Sequence, residues 1–199
     1  FTDYIRAIKE QLRKKGYQLL IGVTDYNLER EEEIVRKFLS YKPEGLIIVG
    51  TQHTAYTNSI LLASKLPIVE TWNITDKPLD VVVGFSNFSA GYQITDYLLS
   101  LKYKRIAFAT PDRNHMKIEN RSKRRLSGYL SRIKEAQIKP IIFYYSEPLD
   151  HKKCGSEILK QYKKDKSKID CIICGSEDSG IALLSTLLFY KMKVPKNIG

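Results

Sequence analysis

An α/β chain of two similar lobes, each a doubly wound parallel sheet with helices on both faces, is the fold class the sequence predicts. Three observations carry this. Apolar runs of strand length alternate strictly with amphipathic stretches of helix length. The strand runs are continuously apolar rather than alternating, which marks strands buried on both faces of a parallel sheet. One plan of amphipathic helix, basic turn and glycine-ended strand occurs twice, as IVRKFLSYKPEGLIIVG and as ILKQYKKDKSKIDCIICG. The lobes are expected at residues 1–102 and 103–199, with the change near Lys102 and Tyr103.

The elements follow in order. Residues 2–15 carry helical spacing from the first turn, with no signal-peptide pattern. The run 18–23, QLLIGV, reads as the first strand, and 29–41 as a helix whose Glu29 and Glu31 to Glu33 meet the positive end of the dipole. Those glutamates need no function. Strands are then expected at 45–50, 67–71, 80–85, 105–109, 140–145 and 169–174, and helices at 57–65, 87–101, 120–136, 151–164 and 178–191. The stretch DVVVGFSNFSAGYQITDYLLSL changes period in its middle. Val81, Val82, Val83 and Phe85 form a β-branched and aromatic run, whereas Ala90, Ile94, Tyr97, Leu98 and Leu101 recur at helical spacing. Small polar side chains and free amides therefore gather just beyond the carboxyl end of a strand, where ligands sit in open α/β sheets.

Composition excludes several classes. At 199 residues and 43% hydrophobic content the chain can fill ordinary cores, and no run of eighteen apolar residues exists to span a membrane. Cys154, Cys171 and Cys174 are an odd set without framework spacing, which points to free thiols in a reducing compartment. Cys171 and Cys174 lie three apart in a strand, so they face opposite ways and cannot converge on a metal or form a helix-capping redox pair. The net charge of +11 is spread over helix faces and loops such as KKDKSK, interleaved with acids, and no nucleic-acid-binding motif accompanies it. A solvated lysine-rich surface accounts for it.

No catalytic pattern stands out. Neither a G-x-G-x-x-G nor a G-x-x-x-x-G-K-[ST] phosphate cradle is present, and there is no G-x-S-x-G elbow for serine hydrolysis. His53, His115 and His151 lie far apart and supply no helix-borne zinc pair. What remains is polar residues at strand ends and helix starts: Ser86 and Asn87, then Arg121, Lys123, Arg124 and Arg125, then Ser176, Glu177 and Asp178. Guanidinium forks and neutral hydroxyls suit a small polar molecule better than proton transfer. Taken singly, Ser86 and Asp178 are better explained as helix caps.

The order of these segments resembles a known family. The opening FTDYIRAIKEQLRKKGYQLLIGVTDYNLEREEEIVRKFLSYKPEGLIIVG, then KRIAFAT, RRLSGY, IDCIICGSEDSGIALLSTL and KMKVPKNIG, is similar along the whole chain to the effector-binding domain of LacI/GalR-family bacterial transcription regulators. PIVETWNITDKPLDVVVGFSN resembles the branch of gluconate-operon repressors, with its Glu-Thr-Trp and Val-Gly-Phe-Ser-Asn signature. The resemblance implies a two-lobed fold of the periplasmic-binding-protein type, an effector in the interlobe cleft, a cytoplasmic homodimer, no cofactor and no metal. It also implies a helix-turn-helix DNA reader and hinge outside these 199 residues, and further cleft residues supplied after KVPKNIG.

Carried over position by position, Phe1 matches an aromatic that faces the ligand, and Arg125 the arginine that grips it from the second lobe. Ser86 stands where many sugar- and purine-binding relatives have an aspartate, beside Asn87, and Glu177 where an aspartate is common. Arg121 lies one turn before Arg125 and shares its face. Serine in place of a carboxylate removes a negative charge beside a helix amino terminus, so the cleft is expected to prefer an anionic polyol, a sugar acid such as gluconate or its phosphate. Glu177 works against this unless it binds hydroxyls at the far end of the ligand or pairs with a basic residue. The function expected is effector sensing by a repressor. A solute-binding protein feeding a sugar transporter is the alternative, and an enzyme lacks any identifiable acid, base or nucleophile.

Overall fold

A computed structural model of the chain describes residues 2–112, 120–146, 150–165 and 169–199. Two compact units emerge, one of residues 1–44 and 53–66, the other of 45–52 and 67–199.

The first unit holds helices α1 (Thr2–Lys14), α2 (Leu28–Ser40) and α3 (Ala55–Ser64). The amphipathic α1 half-buries Tyr4, Ile5, Ile8 and Leu12 and ends where Gly16 takes φ +81°, a left-handed turn that glycine adopts at no steric cost. Asn27 caps α2 by accepting the Arg30 N–H at 2.9 Å, and Thr54 caps α3 by accepting the Thr57 N–H at 2.9 Å. The two helices are tied at their starts: His53 Nδ1 lies 2.6 Å from Glu31 Oε1, and the Thr54 hydroxyl donates to Glu32 at 2.9 Å. Two of the glutamates expected only to meet the helix dipole thus also hold the loop before α3.

One expected strand is absent here. Residues 18–23 form no ladder, and Leu20, Ile21 and Val23 are more than half exposed. A β-prone run becomes a strand only when another strand offers its amides, and the described part of this unit contains none. The segment lies along α2 instead, with Gly22 so close that a Cβ there would meet Ile34 at 2.5 Å.

The second unit contains both sheets. Strands β1 (Leu46–Val49), β2 (Ile68–Thr71) and β3 (Val81–Val83) form a parallel sheet in that order. Leu46, Ile48 and Ile68 are buried, whereas Ile47, Val81 and Val83 remain exposed. Glu70, only 2% exposed, accepts the Leu79 N–H at 2.7 Å, and Asp80 accepts the Ile68 N–H at 3.0 Å, so carboxylates brace β2 and its return loop. Helix α4 (Asn87–Ser100) follows.

The second sheet has the order β5-β4-β6, from β4 (Ile106–Pro111), β5 (Ile141–Tyr145) and β6 (Cys171–Cys174), all parallel. Every residue of β4 is buried, as a central strand covered on both faces requires. On one face Ala107, Ala109, Phe143 and Tyr145 pack with Cys154 and Ile158 of α6 (His151–Lys164) and Leu183 and Leu187 of α7 (Glu177–Phe189). On the other, Ile106, Phe108, Cys171 and Ile173 pack with Leu126, Tyr129 and Ile133 of α5 (Asn120–Glu135). Cys171 and Cys174 thus belong to opposite faces of β6, as their spacing predicts.

Three polar devices fix this half. The buried Tyr129 hydroxyl donates to the Ile106 carbonyl at 2.9 Å and accepts the Ile141 N–H at 3.0 Å, joining β4 to β5. Asp170 accepts the backbone N–H groups of Lys104 and Arg105. On the outer edge of β5, the Gln161 amide accepts the Tyr144 N–H at 3.1 Å and donates to the Tyr144 carbonyl at 2.7 Å, while Glu157 accepts the Ser146 N–H at 2.8 Å.

Helices α4 and α5 pack at van der Waals distance through glycine. A Cβ on Gly91 would stand 2.0 Å from the Arg125 carbonyl oxygen, and one on Gly128 2.1 Å from that of Phe88. Nothing larger than hydrogen fits either position, which is the reason these two glycines stand in helix interiors where glycine otherwise weakens the helix.

Candidate functional site

The site grows from the two strand ends β2 and β3 and the start of α4. Beyond β2 the chain turns sharply: Trp72 has φ +67°, a left-handed conformation that a bulky residue adopts only under constraint. The constraint is visible. The Trp72 N–H donates to the Val83 carbonyl at 3.2 Å, the Trp72 ring meets Phe85 edge-on at 6.4 Å, and the Asn73 amide donates to Thr51 at 3.2 Å. Gly84 closes the turn from the β3 side, where a Cβ would stand 2.1 Å from the Asn73 carbonyl.

Ser86 caps α4, its hydroxyl accepting the Ser89 N–H at 3.1 Å. The capping explanation offered by the sequence is therefore realised, which leaves the hydroxyl proton and a half-exposed position for other contacts. Asn87, the next residue, is 1% exposed. Its amide nitrogen donates to the Trp72 carbonyl at 3.1 Å and approaches the Asn73 side-chain oxygen at 3.5 Å. Its amide oxygen accepts Nη1 of Arg125 at 2.7 Å, the short length of a charge-assisted bond.

Of the residues singled out in the sequence, Asn87 and Arg125 are joined directly, Ser86 adjoins Asn87 as the cap, and Arg121 lies one turn before Arg125 on α5. Arg121 and Arg125 are both half-buried. Glu177 is exposed in the first turn of α7, behind the capping box of Ser176 and Ser179, and no described contact joins it to the Asn87–Arg125 pair. Phe1 lies outside the described residues. Arg125 thus brings its guanidinium to the amino terminus of α4, where the cap is a serine rather than a carboxylate.

Trp72, Asn73, Thr51 and Gly84 were not anticipated as parts of the site. The Glu-Thr-Trp signature drew attention to the segment, but nothing in the letters says that the tryptophan is left-handed. Glu70 of that signature is internal, serving Leu79 rather than a ligand.

At the carboxyl ends of the second sheet, two buried groups are held neutral. Burial pushes the Tyr145 hydroxyl up to about 12 and the Cys174 thiol up to about 11, so both stay protonated at neutral pH. A groove of about 350 Å³ beside β5 is lined by Asp112, Ser146, Lys160 and Lys164 among others and contains none of the predicted site residues. Among the described residues no three His, Cys, Asp or Glu side chains are placed to hold a metal ion, and no helix is long and apolar enough to cross a membrane.

Parallel sheets flanked by helices, with arginine, amide and hydroxyl groups gathered at strand ends and a helix start, define a small-molecule-binding domain of the periplasmic-binding-protein kind. The profile of the periplasmic binding proteins and sugar binding domain of the LacI family matches residues 1–198, and the chain belongs to that family. It is 24% identical over 198 residues to the HTH-type transcriptional regulator GntR of Escherichia coli K12, covering 100% of this chain and 58% of that protein. The HTH-type transcriptional regulator IdnR of the same organism is 24% identical over 200 residues, again with 100% of this chain and 58% of the relative covered.

Among solved structures, a LacI family transcriptional regulator from Silicibacter pomeroyi is 30% identical with a TM-score of 0.81, covering 97% of this chain and 71% of that one. The transcription regulator GntR from Chromobacterium violaceum is 26% identical with a TM-score of 0.85, covering 100% of this chain and 72% of that one. These relatives are transcriptional regulators, not enzymes. The chain spans 58% of the length of the curated relatives it matches here.

Proposed function

We propose that this chain is the effector-sensing domain of a LacI-type bacterial transcription repressor, and that its effector is an anionic carbohydrate, a sugar acid such as gluconate. The observation that carries the reading is the Arg125 guanidinium drawn to the start of α4, 2.7 Å from Asn87, where the capping residue is Ser86 and not an acid. A carboxylate there would accept hydrogen bonds from a neutral sugar but repel an anion. Arg121, Arg125 and the α4 amino terminus favour a negative ligand instead, and the resemblance of the Glu70–Thr71–Trp72 and Gly84 to Asn87 segments to gluconate-operon repressors points the same way.

Sensing in this scheme is a shift between two arrangements of the domain, and the effector drives it only by its differential affinity for them. A helix-turn-helix domain reads DNA, and the regulator acts as a cytoplasmic homodimer. The homodimer is supported by α7, where Ile181, Leu184 and Leu188 fall at helical spacing on one face and are 46–63% exposed. Calorimetric titration with gluconate and with glucose tests the effector. Gluconate binding that is lost in Arg125→Ala is the expected result, since removing one partner of a buried charge-assisted contact costs about 2–5 kcal/mol. Equal affinity of wild type and Arg125→Ala for gluconate removes the arginine from the site.

A further inference from the structure

Two observations meet at Asn87. Its buried amide is the described link between Arg125 on α5 and the left-handed turn at Trp72, accepting from one and donating to the other. The turn is held in a sparsely populated conformation that persists only while its surroundings over-determine it, and the Asn87 bond to the Trp72 carbonyl is one of those determinants.

We propose that Asn87 is a positioning residue that couples Arg125 to the Trp72 turn, so that the state of the arginine is transmitted to the carboxyl end of β2. This rests on the reading of Arg125 as the group that meets an anionic effector. A carboxylate is a stronger acceptor for a guanidinium than a neutral amide oxygen is, so an anion that draws the guanidinium toward itself pulls Nη1 away from Asn87. Once that bond is given up, the buried amide oxygen is left without its charged donor, and the side chain gains by rotating toward another. Rotation carries the amide nitrogen away from the Trp72 carbonyl. The strained turn then loses a support, and the first sheet registers an event that began on a helix packed against the second.

Trp72 is the sole tryptophan of the chain, so its emission reports this turn without interference. The coupling is tested first without any effector, on the 199-residue chain. Arg125→Lys and Arg125→Ala are each made in the native and in the Asn87→Ala background, with far-ultraviolet circular dichroism to confirm folding. Both arginine variants are expected to shift Trp72 emission and raise its quenching by acrylamide in the native background. Asn87→Ala alone is expected to reproduce that shift, and the arginine variants to add nothing to it. Emission unchanged by either arginine variant, or changed equally with and without Asn87, overturns the proposal.

A second arm uses D-gluconate as the probe. Calorimetry in Asn87→Ala is expected to show affinity raised by up to about ten- to hundredfold, because the effector no longer displaces a hydrogen bond to a charged group, and an affinity lowered or unchanged overturns the proposal. Absence of gluconate binding to the wild type defeats the effector reading, and the emission cycle still decides the coupling.

Discussion

Gly91→Ala probes the α4–α5 contact on which the site is hung. The added Cβ would lie 2.0 Å from the Arg125 carbonyl oxygen and 2.9 Å from its Cα, atoms of a helix backbone that cannot rotate aside. Restoring ordinary contact at about 3.4 Å means parting the helices by about 1.4 Å at that point. Overpacking of this kind costs about 1–3 kcal/mol, against the small gain that alanine brings to a helix interior. For a chain of this size that is a fall in Tm of roughly 2–12 °C. A separation of that size also carries the 2.7 Å bond from Arg125 to Asn87 out of hydrogen-bonding range, so Trp72 emission should change in the folded variant. The control is Gly180→Ala in α7, whose Cβ would meet only the Cys174 side chain at 3.7 Å, and which should melt at or above the wild-type temperature. Differential scanning calorimetry decides: Gly91→Ala melting no lower than the wild type, or no lower than Gly180→Ala, refutes the account of the helix contact.

Tyr129→Phe should lower stability by about 1–3 kcal/mol in urea unfolding, because it strips the Ile141 N–H and the Ile106 carbonyl of a buried partner; a change below the scatter of the measurement would show that backbone shifts replace it. Burial raises the thiol of Cys154 to about 12 and those of Cys171 and Cys174 to about 11, from 9.0, so the native state keeps protons that the unfolded chain has lost. Their contribution is complete below pH 9 and drains away as pH climbs toward 11, at up to about 1.4 kcal/mol per pH unit for each thiol. Urea midpoints that stay level from pH 8 to 10.5 would contradict this. Ser86→Asp should weaken gluconate more than glucose in calorimetry, and equal losses would defeat the charge argument. Leu184→Lys, on the exposed face of α7, should convert a dimer to a monomer in sedimentation, and an unaltered sedimentation coefficient would place the dimer face elsewhere.

Much of the architecture was legible because parallel strands are apolar without interruption. The runs at 105–109 and 169–174 became β4 and β6, and the cap at Ser86 was readable from its chemistry, whereas the cap of α7 is Ser176 rather than the expected Asp178, which lies inside the first turn. The run 18–23 was misleading for a simple reason: apolar composition alone does not make a strand, and here Gly22 meets α2 closely while Leu20, Ile21 and Val23 stay more than half exposed. Gly91 and Gly128, unremarked in the sequence, matter through a helix crossing between segments nearly forty residues apart. Of the candidate site, Arg125 and Asn87 were both singled out in the sequence, but their wiring was not legible. Whether Asn87 points to solvent or inward depends on Trp72 and Arg125 arriving at one place, and tertiary packing alone determines that.

Gln161 has a consequence beyond holding α6 to the sheet. With its amide it imitates the next strand, offering Tyr144 the donor and acceptor that a neighbouring polypeptide would bring. A foreign chain that approaches this margin finds the Tyr144 hydrogen-bonding sites already taken, so the margin is a poor template for fibrillar growth. A protein held at high concentration thereby gains resistance to self-association along an open ladder, at the expense of one side chain.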